Sequence, residues 1–303
     1  MGKSAGWVKY CRETIFLLLM IKLLHLVENS LQSQTAAKCD LLIHIGIGTF
    51  QYAIIDKVRD ELKALAEYEL PEKSNLTDLI LAIEKLPEAN REFKYPFSKI
   101  RVSFDSYKFT FIPEELYENE NEQEYAKFIN PYASDLILTN RIRTSKIRNI
   151  FAIDSNFNSA LNQIFQKPRI YNQAGPFIEG IKKTNPDRNG VCLFIDIHQD
   201  HIQIACLKKS ELVLYNMLEC FNADEFNYFL LNTMDSLDLD TSSTKVILSG
   251  NVTSEKDENY QRILKYFKAP VFADSRLKVH HPELFNNVLS HTYFSLISLD
   301  ECE

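Results

Sequence analysis

Glycine is scarce in this chain, with 8 in 303 residues. That is few for an enzyme relying on several glycine-rich phosphate loops, where a missing Cβ lets backbone approach an anion. No P-loop GxxxxGK[ST], dinucleotide GxGxxG, GxSxG elbow or HExxH helix occurs. Positive charge is short as well. A formal net charge of -7 and a pI of about 5.6 argue against nucleic-acid binding through bulk charge. The six cysteines, Cys11, Cys39, Cys192, Cys206, Cys220 and Cys302, form no CxxC. No His/Cys cluster has zinc spacing, so no metal is expected. Cys192 and Cys206 sit in apolar runs as small buried hydrophobes, and a reducing, cytoplasmic setting fits them.

A membrane-spanning run is also lacking. Ile15 to Val27 reads IFLLLMIKLLHLV, interrupted by Lys22 and His25 and too short to cross a bilayer. Lys3, Lys9 and Arg12 precede it, and Thr35-Ala36-Ala37 mimics a cleavage site, which is the secretory pattern. Three readings stay open: a signal or anchor over 15–27, an amphipathic helix, or translation starting at Met20. The first would make the protein envelope-associated.

What is present is an ordinary globular balance, 45% hydrophobic and 25% charged, at a length that usually splits into two lobes. Cys39 to Lys57 reads as two apolar β-rich runs around Gly46-Ile47-Gly48-Thr49, a hairpin signal. Val58 to Leu86 reads as helical stretches broken near Pro71. Lys99 to Ile112 alternates with period two and reads as a second hairpin turning at Asp105-Ser106. Pro113 to Leu116 starts a helix, and Glu114 to Glu124 is an acidic, solvated run with Tyr117, Tyr125, Phe128 and Tyr132 around it. Strands at 149–153 and 168–171 alternate with helices at 156–166 and 175–183. TNPDRNG at 184–190 is the clearest turn cluster. Beyond it, 191–209 is again a hairpin, 211–218 a strand, 223–236 a helix, 245–249 a strand, 255–268 a helix and 270–272 a short strand. Glu283 to Ser298 reads as a final apolar helix.

The two hairpins align without a gap. Leu41, Ile43 and Ile45 match Leu193, Ile195 and Ile197, while Gln51, Ala53 and Lys57 match Gln203, Ala205 and Lys209. Each leads toward a third strand and alternating helices. The expected architecture is therefore α/β: a lead-in over 1–38, a first lobe over 39–184 and a second over 185–303. Each lobe would be a mixed sheet with hairpin strands and flanking helices. This duplicated plan is that of the actin, sugar kinase and heat-shock ATPase superfamily, which is ribonuclease H-like.

The stretches LLIHIGIGTFQYAIID, KIRVSFDSYKFTFIPEELY and IDIHQDHIQIACLKKSELVLYN resemble an uncharacterised bacterial family, domain of unknown function 3822, similar in fold to actin-like ATPases. The resemblance spans most of Met20 to Leu299 and implies fold more than function. In that superfamily the hairpin turns face each other across a cleft and cradle nucleotide phosphates. The first phosphate loop resembles DxGxxx[ST]. Here the Asp position is His44, while Gly46 remains, with Gly48 and Thr49 following it in the turn. An imidazole is the wrong ligand for Mg²⁺. In the second loop the acid is present as Asp196, but the glycine position is His198, followed by Asp200. A Cβ there crowds the phosphate. The adenosine-side motif is half retained as Ser249, Gly250 and Asn251.

Other clusters have bland readings. Arg141, Arg143, Lys146 and Arg148 form a basic patch, either a solvated face or a site for an acidic partner or phosphate. His280-His281-Pro282-Glu283 reads as a loop before a helix, since adjacent side chains diverge. His198 and His201 flank the second turn and would suit a metal, an anion or only the turn. Asp196 is either functional or a turn anchor. The first expectation is a non-catalytic binding or scaffold protein with an unknown protein partner and no nucleic-acid partner. The alternatives are an ATPase or kinase using ATP with Mg²⁺, and an envelope-associated assembly factor.

Overall fold

The structure, a computed structural model, describes residues 20–70, 76–275 and 279–303. The first half runs β1 (Ile21–Val27), α1 (Ser33–Ala36), β2 (Cys39–Ile45), β3 (Thr49–Asp56), β4 (Glu61–Glu69), α2 (Leu76–Ala89) and β5 (Lys99–Phe104). Then come β6 (Phe109–Pro113), α3 (Glu122–Ala126), β7 (Asp135–Ile142), β8 (Ile147–Asp154), α4 (Ser155–Ile164), β9 (Arg169–Asn172) and α5 (Ala174–Thr184). The second half runs β10 (Val191–Ile197), β11 (His201–Lys208), β12 (Glu211–Glu219), α6 (Ala223–Ser236), β13 (Lys245–Gly250), α7 (Glu258–Ile263), β14 (Val271–Phe272) and α8 (Phe294–Ser298).

The two large sheets have the orders β1-β4-β3-β2-β5-β9 and β12-β11-β10-β13-β14. Apart from β1 they share one topology, and their registers coincide. Ile43 faces Tyr52 as Ile195 faces Ile204. Pairing with the third strand slips at Ile54/Ile55 and, equivalently, at Cys206/Leu207. Strands β6, β8 and β7 form a separate small sheet inserted into the first half.

Period-two alternation assigns the faces. Leu41, Ile43 and Ile45 pack with Ile83 and Leu86 of α2 and Phe157 and Leu161 of α4. Leu42 points the other way, toward Leu296 and Ile297 of α8. In the second sheet Leu193, Ile195 and Ile197 pack on Phe226 and Leu230 of α6, while Cys192 and Phe194 meet Phe177 and Ile181 of α5. Each half thus ends in a helix that covers the other half's sheet. The two crossing helices touch through Phe177 and Phe294, whose rings are 6.4 Å apart. Helix starts are fixed by side-chain caps: Asp154 Oδ1 accepts from the amides of Asn156 and Phe157, and Asn222 Oδ1 from those of Asp224 and Glu225.

Several expectations are corrected. Glu61–Glu69 is a strand, not a helix. Leu62, Ala64, Leu65 and Ala66 are all fully buried, because β4 has neighbours on both edges and packing on both faces. A segment buried on both faces loses the alternation that marks a strand, and its helix-forming residues are overruled by pairing. The break expected at Pro71 lies outside the described residues. Lys99 to Ile112 is not a hairpin. Strand β5 is paired in parallel on one side with β2 and on the other with β9, so both edges are filled and β6 pairs with β8 instead. The helix expected from Pro113 is a single 3₁₀ turn, Glu114–Leu116. The final helix is broken into a turn at Glu283–Phe285 and α8, because the carbonyls of Ser290 and His291 accept from Ser275 Oγ and Gly250 N. Part of the expected lead-in, Ile21–Val27, is an edge strand and not an amphipathic helix, whereas 15–19 lie outside the described residues. Its His25 Nε2 is 2.7 Å from the buried Glu92 carboxylate, which also accepts from Tyr52. No helix among the described residues is long and apolar enough to cross a membrane.

Phe50, fully buried in the first core, offers a test. Phe50→Ala should cost about 3–5 kcal/mol of stability by leaving a cavity, read from the midpoint of urea unfolding.

Candidate functional site

Strands β2 and β10 end in tight turns built alike. Gly46 N donates to Thr49 O and His198 N to His201 O, both at 2.9 Å. The following strands close each turn from outside: Leu70 N reaches Gly48 O at 2.8 Å, and Cys220 N reaches Asp200 O at 3.0 Å. Gly48 has a positive φ of 78°, the region that favours glycine. Side chains crowd Gly46, so a Cβ there would force Thr49 to shift. A Cβ there would stand 2.5 Å from Thr49 Oγ1, 3.2 Å from Asp105 Oδ2 and 3.3 Å from His44 Nε2.

Between the turns, where a cleft was expected, side chains meet. Asp105, just past β5, carries a carboxylate 3.5 Å from His44 Nε2 and 3.4 Å from His201 Nε2. One contact is to its own half and the other crosses to the second. His201 stacks on His198 with ring centroids 4.4 Å apart and planes 9° from parallel. His198 Nε2 lies 2.9 Å from Asp196 Oδ2. Asp196 also accepts from Ser249 Oγ (2.7 Å), Gln203 Nε2 (3.0 Å) and Ser295 Oγ of α8 (3.0 Å). His44 and Asp196 occupy matching strand positions, and their neighbours match too: His44 Nδ1 is 3.0 Å from Ser103 Oγ as Asp196 is bonded to Ser249. His198 keeps 18% of its side-chain surface, and the other four keep 4% or less.

Burial opposes charge on each of these groups, and the neighbours decide which stay ionised. Burial alone would push the His198 imidazole down. The Asp196 charge and hydrogen bond, with Asp105 and Glu67, outweigh it and raise His198 to about 9. Burial would likewise raise Asp196, but the His198 charge and the bonds from His198, Ser249 and Ser295 hold it below the usual carboxylate range. Burial and then the His198 charge push His201 down to about 4. Burial also lowers His44. At neutral pH the cluster is therefore one imidazolium–carboxylate pair, two neutral imidazoles and the Asp105 carboxyl group.

This donor set does not fit Mg²⁺–ATP. Asp196 Oδ2 already faces His198, Gln203 and Ser295, and its Oδ1 accepts from Ser249. His44 offers a neutral imidazole nitrogen, a poor ligand for Mg²⁺, and the His198 ring occupies the second turn. Ser249 and Gly250 join this cluster. Gly250 has φ 81°, and a Cβ there would lie 2.2 Å from Ile197 O and 3.0 Å from Asp196 Oδ1. Asn251 joins only through its amide, 2.6 Å from Ile197 O. The basic patch belongs to the β7–β8 hairpin instead. Arg141 and Arg148 share Glu114, Arg143 pairs with Glu303, and Lys146 sits in a left-handed turn at φ 53°. His280 pairs through its backbone with Glu61, and His281 lies edge-on to Phe285.

The sequence reading missed Asp105 and the donors Gln203, Ser103 and Ser295. Asp105 was hidden by its assignment to a hairpin turn. The signal was the duplication: Asp105 and Asn251 follow matching strands, and their amides bond Ile45 O and Ile197 O alike. To one side of the first turn lies a cavity of about 500 Å³, lined by apolar side chains such as Ile45, Leu79, Phe104 and Phe157.

The chain belongs to the family described as Protein of unknown function (DUF3822), whose profile matches residues 28–269. A Bacteroides thetaiotaomicron protein with an actin-like ATPase fold and unknown function has a TM-score of 0.73 at 21% identity, covering 91% of this chain and 100% of that one. PilM, in the PilM–PilN type IV pilus biogenesis complex, has a TM-score of 0.64 at 11% identity, covering 87% of this chain and 98% of that one. The duplicated lobes are thus those of the actin-like fold. A search of the curated proteins finds no match.

Two predictions follow from the cluster. His198 is raised from 6.5 to about 9, so its stabilisation is complete below 6.5 and is lost as pH climbs through 9. His201, lowered to about 4, destabilises the fold as pH falls from 6.5 through 4. The melting temperature should therefore fall on both sides of a maximum near pH 6.5, and His198→Gln should flatten the alkaline limb. Gly250→Ala should destabilise by about 1–3 kcal/mol through backbone strain alone, with more from the clash, measured by urea unfolding.

Proposed function

We propose that this chain is a non-catalytic actin-like protein that acts as a binding or scaffold module, its interlobe site occupied by its own side chains. The observation that carries the reading is the contact of Asp105 with His201 and of His198 with Asp196, where phosphates would otherwise lie. A polyphosphate entering there would meet two carboxylates without a metal between them. It would also have to break a buried pair, which costs several kcal/mol when one partner is left alone. The assembly of PilM with PilN supports the reading as a precedent for this fold engaging another protein. The alternative, an ATPase or kinase with Mg²⁺, keeps one point in its favour: Asp196 sits where the superfamily places an acid.

Thermal melting of the chain with and without millimolar Mg²⁺–ATP, repeated with Asp196→Ala, tests the reading. A ligand that binds only the folded state raises the melting temperature by mass action. No shift is expected for either protein. A clear shift in the wild type that disappears in Asp196→Ala would overturn the closed-site reading.

A further inference from the structure

A cavity lies beside the first turn, lined by Ile45, Gly46, Ile47 and Gly48 on that side. Its volume of about 500 Å³ is within the usual range for ligand sites. The floor is apolar and comes from three sources: Ile45 and Phe104 at the strand ends, Leu79 of α2 and Phe157 of α4. The rim also carries apolar side chains that are exposed among the described residues. Ile47 is 39% exposed, Leu76 39% and Tyr132 71%. These three come from the first turn, the start of α2 and the small inserted sheet's approach loop, and all three line the cavity. Exposed large apolar side chains grouped around a cavity mark an interaction site more than scattered ones do.

The rim decides what kind of occupant fits. A small molecule held on the floor would leave Ile47, Leu76 and Tyr132 in water. Covering them needs a chain that runs out over the edge. The polar groups set its charge. Lys108 Nζ is 2.8 Å from Asp135 Oδ2 and lies 3.1 Å from the centre of the Tyr132 ring. That pair is neutral, and the amide of Tyr132 bonds the same Asp135 oxygen, fixing the loop. Asp154 gives Oδ1 to the α4 cap, and its other oxygen has no hydrogen-bond partner among the described residues. Asp105 closes the inner wall. The lining therefore carries three carboxylates against one ammonium, on a chain of net charge -7.

We infer that this cavity is a docking site for a short segment of another protein, one that places bulky apolar side chains on the floor and a basic residue at Asp154. The inference rests on the reading of the chain as a binding module and gives that module its surface. It does not depend on whether the interlobe site is closed.

The test selects binders for the full chain from a random-peptide phage library and remeasures the enriched sequences as fluorescent synthetic peptides by anisotropy. Three variants are compared with wild type: Ile47→Asp, Leu76→Glu and Asp154→Asn. The last keeps a capping oxygen, and urea unfolding confirms that all three remain folded. Enriched peptides should combine large apolar residues with Lys or Arg. Ile47→Asp and Leu76→Glu should each weaken them by about tenfold or more, as loss of an anchor contact does. Asp154→Asn should weaken them less, and the difference should shrink at high salt. Peptides that bind all variants as tightly as wild type, an absence of enriched sequences, or acidic binders would overturn the inference. So would a wild-type dimer in light scattering that Leu76→Glu dissociates, because the occupant would then be a second copy. Mg²⁺–ATP binding without peptide loss would sink the closed-site reading alone; peptide failure without an ATP shift would sink only the cavity.

Discussion

A single buried carboxylate, Asp196, ties the middle of this molecule together. Its four partners come from β11, β13, the second turn and the C-terminal helix α8. Two of them, Gln203 and Ser249, hold neighbouring strands in place at the end of the sheet. Ser295 draws in the helix whose Leu296 and Ile297 cover the first sheet. His198 carries the positive charge that lets the carboxylate stay ionised out of water. Through the stacked His201 the chain of contacts then reaches Asp105 and the first half. A buried charge is tolerated when it is paired and hydrogen-bonded, so the elements that supply these partners hold their positions together.

The duplication explains why such a network forms. Two equivalent strands, each ending in an equivalent turn, bring His44 and Asp196 to matching places, backed by Ser103 and Ser249. In an open site of this symmetry a ligand would bridge the halves. Here the residues at the turn positions, Gly46 and Thr49 on one side and His198 and His201 on the other, are unequal. The side with glycine leaves room, and the side with two imidazoles fills it. Asp105 and His201 then meet directly.

Much of the second half was legible because its elements obey local rules. Helix α6 begins at an Asn cap and runs over Ala223–Ser236, as the pattern predicts, and β13 ends at Ser249–Gly250 within one residue. The aligned hairpins were legible for the same reason, since period two survives wherever one face differs from the other. The misreadings fell where burial was uniform or pairing distant. Strand β4 has helix-forming composition and apolar residues on both faces. Strands β5 and β6 are consecutive yet join different sheets, and only their partners β2, β9 and β8 tell them apart.

The sequence by itself determined the repeat and the strand-end positions of His44 and Asp196, because both are properties of residue type at fixed spacing. Only the tertiary structure decided that side chains meet between the two turns. That outcome depends on Asp105 meeting His201 from across the chain, on Ser295 arriving from the last helix, and on burial setting which imidazole carries the proton. Distances between residues nearly a hundred positions apart, and the dielectric around them, are products of packing that no local pattern records.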